Sequence, residues 1–539
     1  MDHPSTSSAF RDEIASGATH ALAATYHAEH WWDDRSLADG LEAAAGVRPH
    51  ALAVTDNQHE VTYAELVERV HGTVGALTDL GVQPADGVVL VAGNTVDAVV
   101  AYHALLRVGA AVAVLDRRTG ESDIRLAGEV LGKPALMLVS ESEEARLGLG
   151  AAEHGVARLE AVTNVGGRGP VTRWFEPDRD AARVVLFTSG TTNHPKGVVH
   201  SLNTITAGAN NMARITGADE HTLLFLVSPV TSIAGITQMH LFADQHAGLV
   251  LEDRFDPDRS LDRVNATGAT LLGGAPVIAE LLLRAAEARS ARIAIRTLAL
   301  GGAMLPRPLL ERATDRFGIE IARVYGSSEI PCATGSVPGD DRERRLSDDG
   351  LLMPGTEVRV GSSNSPGEGL LRGPALFLGY VDAEDDAAAF EDTWFRTGDL
   401  VELSDDRRLT VVGRLKEVAN RNGLKISLGE IDASLAGMPG LDEHAAFAMS
   451  DPETGERVAV AVRPVPGATV TLADLVAHLE RAGTARRKLP EQIVMWDAPL
   501  PRTPSGKVVR ARLVMEAAGR PSDVAGRLGR PESARGREE

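Results

Sequence analysis

The residues best suited to chemistry in this 539-residue chain lie in one run, Leu186-Phe187-Thr188-Ser189-Gly190-Thr191-Thr192-Asn193-His194-Pro195-Lys196-Gly197. The run begins in an apolar stretch, residues 184–187, that reads as a buried strand. Its hydroxyls and glycines therefore fall at a strand's carboxyl end, where open α/β sheets bind ligands. Small hydroxyl side chains and closely approaching backbone amides suit phosphate oxygens, and Lys196 adds a positive charge. The spacing is not that of a Walker loop, because Pro195 precedes the lysine and Gly197 follows it. Cys332, near Glu329, has no base evident beside it, so it reads as pocket wall or core, with a nucleophile a remote second. His194 and His200 flank the loop without the spacing of metal ligands.

The elements that must hold these residues alternate along the chain. Residues 1–50 form a leader in which Trp31-Trp32 is expected on a helix lying on the surface. Thr62-Tyr63-Ala64-Glu65 has the spacing of a capping box and predicts a helix start. Residues 88–91, 110–115 and 136–139 read as strands and 95–107 as a helix, which is the signature of βαβ units and a largely parallel sheet. The alternation resumes at 184–187 and runs to 322–324. Between 339 and 412, short β-like runs (357–360, 369–372, 409–412) broken by Gly, Pro and Asp predict a small barrel. A mixed helix and strand pattern returns after Gly413, and the tail from about Pro521 has the composition of a disordered segment.

Bulk composition narrows the function classes. The formal charge is −20, from 55 Lys plus Arg and 75 Asp plus Glu, which disfavours nucleic-acid and anionic-membrane partners. The single cysteine excludes an internal disulfide. The longest apolar stretch, 96–115, is interrupted by Asp97, His103, Arg107 and Gly109 and reads as a buried helix and strand, not a membrane span. The N-terminus lacks the apolar core of a signal peptide, so a cytoplasmic protein with no membrane insertion is expected.

The loop at 186–197 resembles the phosphate-binding loop of the adenylate-forming superfamily, which includes acyl- and aryl-CoA synthetases, peptide-synthetase adenylation domains and beetle luciferases. Asn193 stands where that family usually has Gly, a change that Asn's tolerance of left-handed backbone can absorb. Further blocks follow in family order: Leu300-Gly301-Gly302-Ala303, Val324-Tyr325-Gly326-Ser327-Ser328-Glu329, Trp394-Phe395-Arg396-Thr397-Gly398-Asp399-Leu400, Gly413-Arg414-Leu415-Lys416-Glu417, Gly423-Leu424-Lys425-Ile426 with Glu430-Ile431-Asp432, and Pro501-Arg502-Thr503-Pro504-Ser505-Gly506-Lys507.

The resemblance implies an α/β fold: two β–α subdomains and a small β-barrel over 1–413, a small mobile α+β lid over 414–520, and a tail over 521–539. It also implies roles. Thr188, Ser189, Gly190, Thr191, Thr192 and Lys196 would hold phosphates, and Gly301, Gly302 and Ala303 would border adenine and the acyl pocket. Tyr325 and Gly326 would pack on adenine, Ser328 would contact the α-phosphate, and Glu329 would hold Mg²⁺. Asp399 would accept from both ribose hydroxyls, since a carboxylate can accept two donors at once. Arg414 would reach the nucleotide, Lys416 would be the pivot, and Lys507 would enter the site for adenylation.

The family's aromatic gate position is occupied by the small Ser232 in Pro229-Val230-Thr231-Ser232. No Asp stands beside Thr231 to pair an α-ammonium, which weakens an amino-acid substrate. Ser228, Thr231, Ser232, Gly274 and Cys332 are the expected pocket residues, fitting a substituted aryl or medium-length acyl acid. The expected reaction uses ATP and Mg²⁺ to adenylate that acid and passes the acyl group to coenzyme A. A carrier protein as acceptor, a diazotase-like enzyme activating nitrite for an aryl amine, and a nucleotide-binding protein without turnover are the alternatives.

Overall fold

The computed structural model describes residues 17–132, 134–147, 155–164, 175–188, 196–302, 304–363, 365–421, 424–502 and 508–525. The chain divides into two compact units. One comprises Met1–Leu305, Leu309–Thr397 and Val401–Thr410, the other Pro306–Pro308, Gly398–Leu400 and Val411–Glu539. No described helix is long and apolar enough to cross a membrane.

In the first unit, helix α1 (Tyr63–Asp79) forms its predicted capping box: Thr62 caps the Glu65 amide and Glu65 reaches back to the Thr62 amide. Strands β1 (Gly87–Ala92), β2 (Ala111–Asp116), β3 (Leu136–Val139), β4 (Val156–Arg158), β5 (Ala182–Thr188) and β6 (Lys196–Ser201) then build one sheet. Its order is β6-β5-β2-β1-β3-β4, with residues Gly379–Tyr380 on the outer edge of β6. All pairs are parallel except β5 with β6 and Gly379–Tyr380 with β6. Helix α2 (Val96–Val108) links β1 to β2 and is buried along its whole length, which its near-continuous apolar sequence requires.

A second sheet follows. Helix α3 (Leu202–Thr216) leads to β7 (Leu223–Leu226), α4 (Ile233–Asp244), β8 (Gly248–Leu251), β9 (Leu271–Gly274), α5 (Pro276–Ala288), β10 (Thr297–Gly301) and β11 (Glu320–Tyr325). These five strands lie parallel in the order β11-β10-β9-β7-β8. Strand order therefore reverses between β7 and β9, and the crevice beyond their carboxyl ends is where such a sheet binds ligands. One core is shared by both sheets through α1–α4: it takes Leu90, Val112 and Leu186 from the first and Leu224, Leu271 and Ala299 from the second. Residues of the opposite parity, Phe225, Leu272 and Leu298, pack under α5 instead.

The β-rich segment expected to make the small barrel forms a five-stranded antiparallel sheet. It comprises β12 (Glu357–Val360), β13 (Glu368–Arg372), β14 (Phe390–Glu391), β15 (Trp394–Leu403) and β16 (Leu409–Arg414), in the order β12-β13-β15-β14 with β16 also on β15. The acidic helix α6 (Ala383–Ala389) precedes β14. The second unit carries a six-stranded mixed sheet of β17 (Val418–Arg421), β18 (Leu424–Ser427), β19 (Leu441–Asp451), β20 (Gly455–Pro464), β21 (Gln492–Met495) and β22 (Ser522–Val524). Helices α7 (Leu428–Leu435) and α8 (Leu472–Arg481) bury Ile431, Leu435, Leu475 and Leu479 against Val458, Val460 and Val462.

The leader departs from expectation. Trp31-Trp32 follows a short helix, Ala23–Ala28, instead of lying on one, and Trp32 is fully buried with its Nε1 donating to the Pro374 carbonyl at 2.8 Å. A wide ring with one donor is stabilised more by that interior partner than by the surface.

Two features of the shared core yield measurable consequences. Gly235, in the first turn of α4, lies against the preceding loop so closely that a Cβ would sit 2.1 Å from the Pro229 carbonyl oxygen. Gly235→Ala should therefore lower stability by about 1–3 kcal/mol in urea unfolding, the usual cost of overpacking; an unchanged midpoint would contradict this approach. The second feature is a set of buried imidazoles. Burial depresses His200 to about 4 and His240 to about 3, and it holds His103 well below the usual range. Because these folded-state values lie below the unfolded value of about 6.5, the unfolded chain takes up protons first as pH falls. The stabilisation is full above about 6.5 and is lost as pH falls toward about 4. Stability measured by urea unfolding should drop between pH 7 and pH 5, by roughly 2 kcal/mol for one such group. A flat profile there would mean the imidazoles are not held neutral.

Candidate active site

Thr188 ends β5 and is paired in register with Lys196 at the start of β6. Ser189, Gly190, Thr191 and Thr192, between these two strands, lie outside the described residues, as do Ala303 and Lys507. Lys196 does not stand alone: its Nζ is 2.6 Å from Asp385 Oδ1 on α6 and 4.7 Å from the centre of the Tyr380 ring. Its charge is thus shared with a carboxylate.

The turn after β11 carries the next group. Gly326 must be glycine, because a Cβ there would lie 2.6 Å from both the Cys332 amide nitrogen and the Ile330 carbonyl oxygen. Three bonds from elsewhere hold this turn. His200 Nε2 lies 2.7 Å from the Ser328 carbonyl oxygen, which can only accept, so the neutral ring carries its proton on Nε2. The Phe377 amide donates to the Glu329 carbonyl at 2.7 Å. The Tyr380 hydroxyl donates to Glu329 Oε1 at 2.6 Å. Burial, reinforced by the Glu329 charge, pushes the Tyr380 phenol far above its ordinary value, so it remains a donor. Ser328 and Glu329 are half-buried, and Tyr325 shares that partial exposure.

Cys332 is buried in the core shared by the two sheets, and its carbonyl accepts from Asn211 Nδ2 at 3.1 Å. Burial pushes its thiol up to about 12, which leaves almost no thiolate at neutral pH.

At the β7/β9 crevice, Gly274 and Ser228 face each other: a Cβ on Gly274 would lie 3.3 Å from Ser228 Oγ. Ser232 is the N-cap of α4, and its hydroxyl donates to the Pro229 carbonyl at 2.7 Å while accepting from the Gly235 amide. Its proton is therefore given to the Pro229 carbonyl while its oxygen caps the helix. Thr231 is nearly buried beside it. On the face of the sheet toward α4, β9 passes from Leu271 to Gly273, and β10 ends in Gly301, where a Cβ would strike the Val324 carbonyl oxygen at 2.2 Å. Gly302 follows with a left-handed φ of 76°. The central strands thus carry no side chains at their carboxyl ends, and Gln238 of α4 lies in the space beside Gly273.

Asn94, absent from the sequence reading, fixes this crevice. Its Nδ2 lies 3.0 Å from the Ser228 and Glu252 carbonyls, and its Oδ1 accepts from the Val230 amide at 2.8 Å. Tyr380 and Gln238 were missed as well. The available signals were a polar residue directly after an apolar strand for Asn94 and a polar residue within an apolar helix for Gln238. Tyr380 offered no such signal.

In the second unit, buried Asp399 pairs with exposed Arg414, Nε to Oδ1 at 2.7 Å. Gly413 leaves no room for a side chain beside Ser427, whose Oγ would be 3.0 Å from its Cβ. Lys416 is exposed on the turn after it.

A family model described as AMP-binding enzyme matches residues 41–381, and one described as AMP-binding enzyme C-terminal domain matches residues 430–507. Over 93% of its length the chain is 30% identical to a 2-hydroxy-7-methoxy-5-methyl-1-naphthoate–CoA ligase of Streptomyces carzinostaticus, covering 97% of that protein. It is 29% identical to a salicylyl-CoA synthase / salicylate adenylyltransferase of a Streptomyces species, over 90% of this chain and 95% of the other. Among solved structures, an anthranilate CoA ligase in complex with anthranoyl-AMP superposes with a TM-score of 0.81 at 19% identity, covering 90% of this chain and 97% of that one; at this identity the likeness speaks for the fold. The chain belongs to the AMP-binding enzyme family, the adenylate-forming superfamily its motifs resemble, and is an AMP-forming ligase.

Proposed function

We propose that this ligase activates an aryl carboxylic acid with ATP and transfers the acyl group to coenzyme A. The observation that carries the acid class is the absence of side chains at the strand ends of the β7/β9 crevice, where β9 closes on Gly273 and Gly274 and β10 on Gly301. A planar ring can lie against such a wall with its apolar faces covered. The relatives named for a naphthoate and for salicylate support the same class.

In the first half-reaction a carboxylate oxygen attacks the α-phosphorus of ATP, the bond to the pyrophosphate oxygen breaks, and acyl-AMP forms. Catalysis of such a step is largely positioning and charge stabilisation. Thr188, Ser328 and the loop residues Ser189 to Thr192 bind phosphate oxygens, and Tyr325 stacks on adenine beside Gly301, Gly302 and Ala303. Asp399 and Arg414, already paired, turn to the ribose and the nucleotide. Glu329 would hold Mg²⁺ with the phosphate oxygens. One carboxylate beside substrate phosphates suits this cation, and bound there it would offset the triphosphate charge. Tyr380 engages only Oε1 of Glu329 and so fixes the carboxylate's orientation. In the second half-reaction the thiolate of coenzyme A attacks the acyl carbonyl and AMP leaves. Lys416 is the pivot on which residues 414–520 withdraw Lys507 between the two steps.

Pyrophosphate release measured with aryl acids, medium-chain acids, and nitrite plus an aryl amine should respond to the aryl acids. A response only to nitrite and amine would overturn the reading. Lys507→Ala separates the half-reactions. Loss of its charge beside the attacked phosphorus should cut acid-dependent pyrophosphate release by about 10²–10³. Conversion of prepared acyl-AMP to thioester should proceed at near the normal rate. Equal losses in both assays would contradict the two-step alternation.

A further inference from the structure

The leader takes no part in the chemistry above, yet two of its side chains reach the segment that holds Glu329. After the short helix Ala23–Ala28 the chain turns through His30, whose φ of 56° is left-handed, and the Trp31 and Trp32 amides both donate to the Tyr26 carbonyl. This turn brings both indoles to Pro374. Trp32 donates from Nε1 to the Pro374 carbonyl at 2.8 Å. Trp31 and Pro374 both close on Gly355, where a Cβ would lie 2.6 Å from Trp31 Cε3 and 2.7 Å from Pro374 Cγ. Ahead of the helix, the Thr19 hydroxyl donates to the Phe377 carbonyl at 2.6 Å. Thr19, Trp32 and Phe377 are all buried, so neither carbonyl can exchange its bond for one to water.

The same segment gives its remaining groups to the turn after β11. Phe377, whose carbonyl accepts from Thr19, donates its amide to the Glu329 carbonyl, and Tyr380 donates its hydroxyl to Glu329 Oε1. The rings of Phe377 and Tyr380 pack edge to face, with centroids 4.8 Å apart and planes at 71°. A shift of Phe377 therefore carries the Tyr380 ring with it, because a close-packed interior transmits displacement. Pairing with β6 fixes Gly379 and Tyr380 at the far end of the segment. At its near end, the bonds from Trp32 and Thr19 fix the backbone of 374–377.

We propose that Thr19 and Trp32 are positioning residues of the adenylation site: they hold the 374–377 backbone where Phe377 and Tyr380 can orient the Glu329 carboxylate toward Mg²⁺. This rests on the reading above that Glu329 holds the cation. Groups that orient a metal ligand tune its affinity although they never touch the metal. Neither leader residue is among the groups assigned to the nucleotide or the acid. Loss of its bond should therefore appear as a greater demand for Mg²⁺, which a purely structural role in the leader would not produce.

The test measures the Mg²⁺ concentration of half-maximal effect in two ways. One is acid-dependent pyrophosphate release at saturating ATP; the other is calorimetric titration of ATP binding with no acid present, where nothing turns over. Thr19→Val removes the hydroxyl and keeps the shape, Thr19→Ser keeps the hydroxyl, and Trp32→Phe removes the indole N–H. Glu329→Gln is the direct comparison. Thr19→Val and Trp32→Phe should each raise the half-maximal Mg²⁺ about three- to tenfold in both measurements, below the roughly 10–100-fold typical for the immediate partner of a metal ligand. Thr19→Ser should stay near the wild-type value. Lost activity or thermal stability with an unchanged half-maximal Mg²⁺ overturns the proposal and leaves the leader a packing element. A Thr19→Ser enzyme as impaired as Thr19→Val overturns it too, since shape and not the hydroxyl would then matter. Should Trp32→Phe fail to fold, the Thr19 pair decides the question alone. If Glu329→Gln itself leaves the half-maximal Mg²⁺ unchanged, the reading of Glu329 has failed and the proposal falls with it; a shift in Glu329→Gln without one in the leader variants counts against the leader only.

Discussion

The arrangement depends on the clamp that one buried amide places on the loop after β7. Asn94 stands at the carboxyl end of β1 in the first sheet, yet its side chain bonds backbone groups that belong to the second, at Ser228, Val230 and Glu252. Only an amide can do this, because it must donate to carbonyls with one end and accept from an N–H with the other. An aspartate could accept from Val230 but would face the carbonyls without a donor. Each such bond is worth about 0.5–1.5 kcal/mol net, but the cost of stranding the partners is larger. The loop it holds then carries Ser228 into contact with Gly274 and starts α4 at Ser232, so the crevice at the strand reversal inherits its shape from this residue.

The turn after β11 is built on the same pattern, with side chains from remote segments fixing backbone and carboxylate. His200 on β6 holds the Ser328 carbonyl, Tyr380 holds the Glu329 carboxylate, and Lys196 is held between Asp385 and the Tyr380 ring. These contacts order the turn by themselves, and preorganised charge is what the proposed adenylation step requires. The glycines at 301 and 326 serve the same end by letting backbone approach where a side chain would keep it away, and Gly273 makes room for the Gln238 side chain.

Much of this was legible in the sequence because it is written in contiguous residues. The apolar run at 88–91 followed by a helix at 95–107 is β1 and α2 to within a residue or two, and Thr62 with Glu65 does form its capping box. The motif order likewise led to the adenylate-forming superfamily. What could not be read was the set of contacts made across distance. Tyr380 and Glu329 are 51 positions apart, and Asn94 and Ser228 are 134 apart, and neither member of either pair marks the other by spacing or composition. Ser232, named for the pocket by its position in a family block, also has a local task that the block does not announce, the cap of α4. Trp32 misled for a related reason, since its surface placement ignored the interior partner that its indole N–H finds in Pro374.

The central claim is that the carboxylate oxygen of the acid attacks the α-phosphorus of ATP. It is tested most directly by following that oxygen. With an acid labelled in both carboxylate oxygens with ¹⁸O, ATP and coenzyme A, mass spectrometry of the nucleotide product should find AMP carrying one labelled oxygen on its phosphate, with unlabelled pyrophosphate. Unlabelled AMP, or ADP accompanied by labelled inorganic phosphate, would contradict adenylation of the acid.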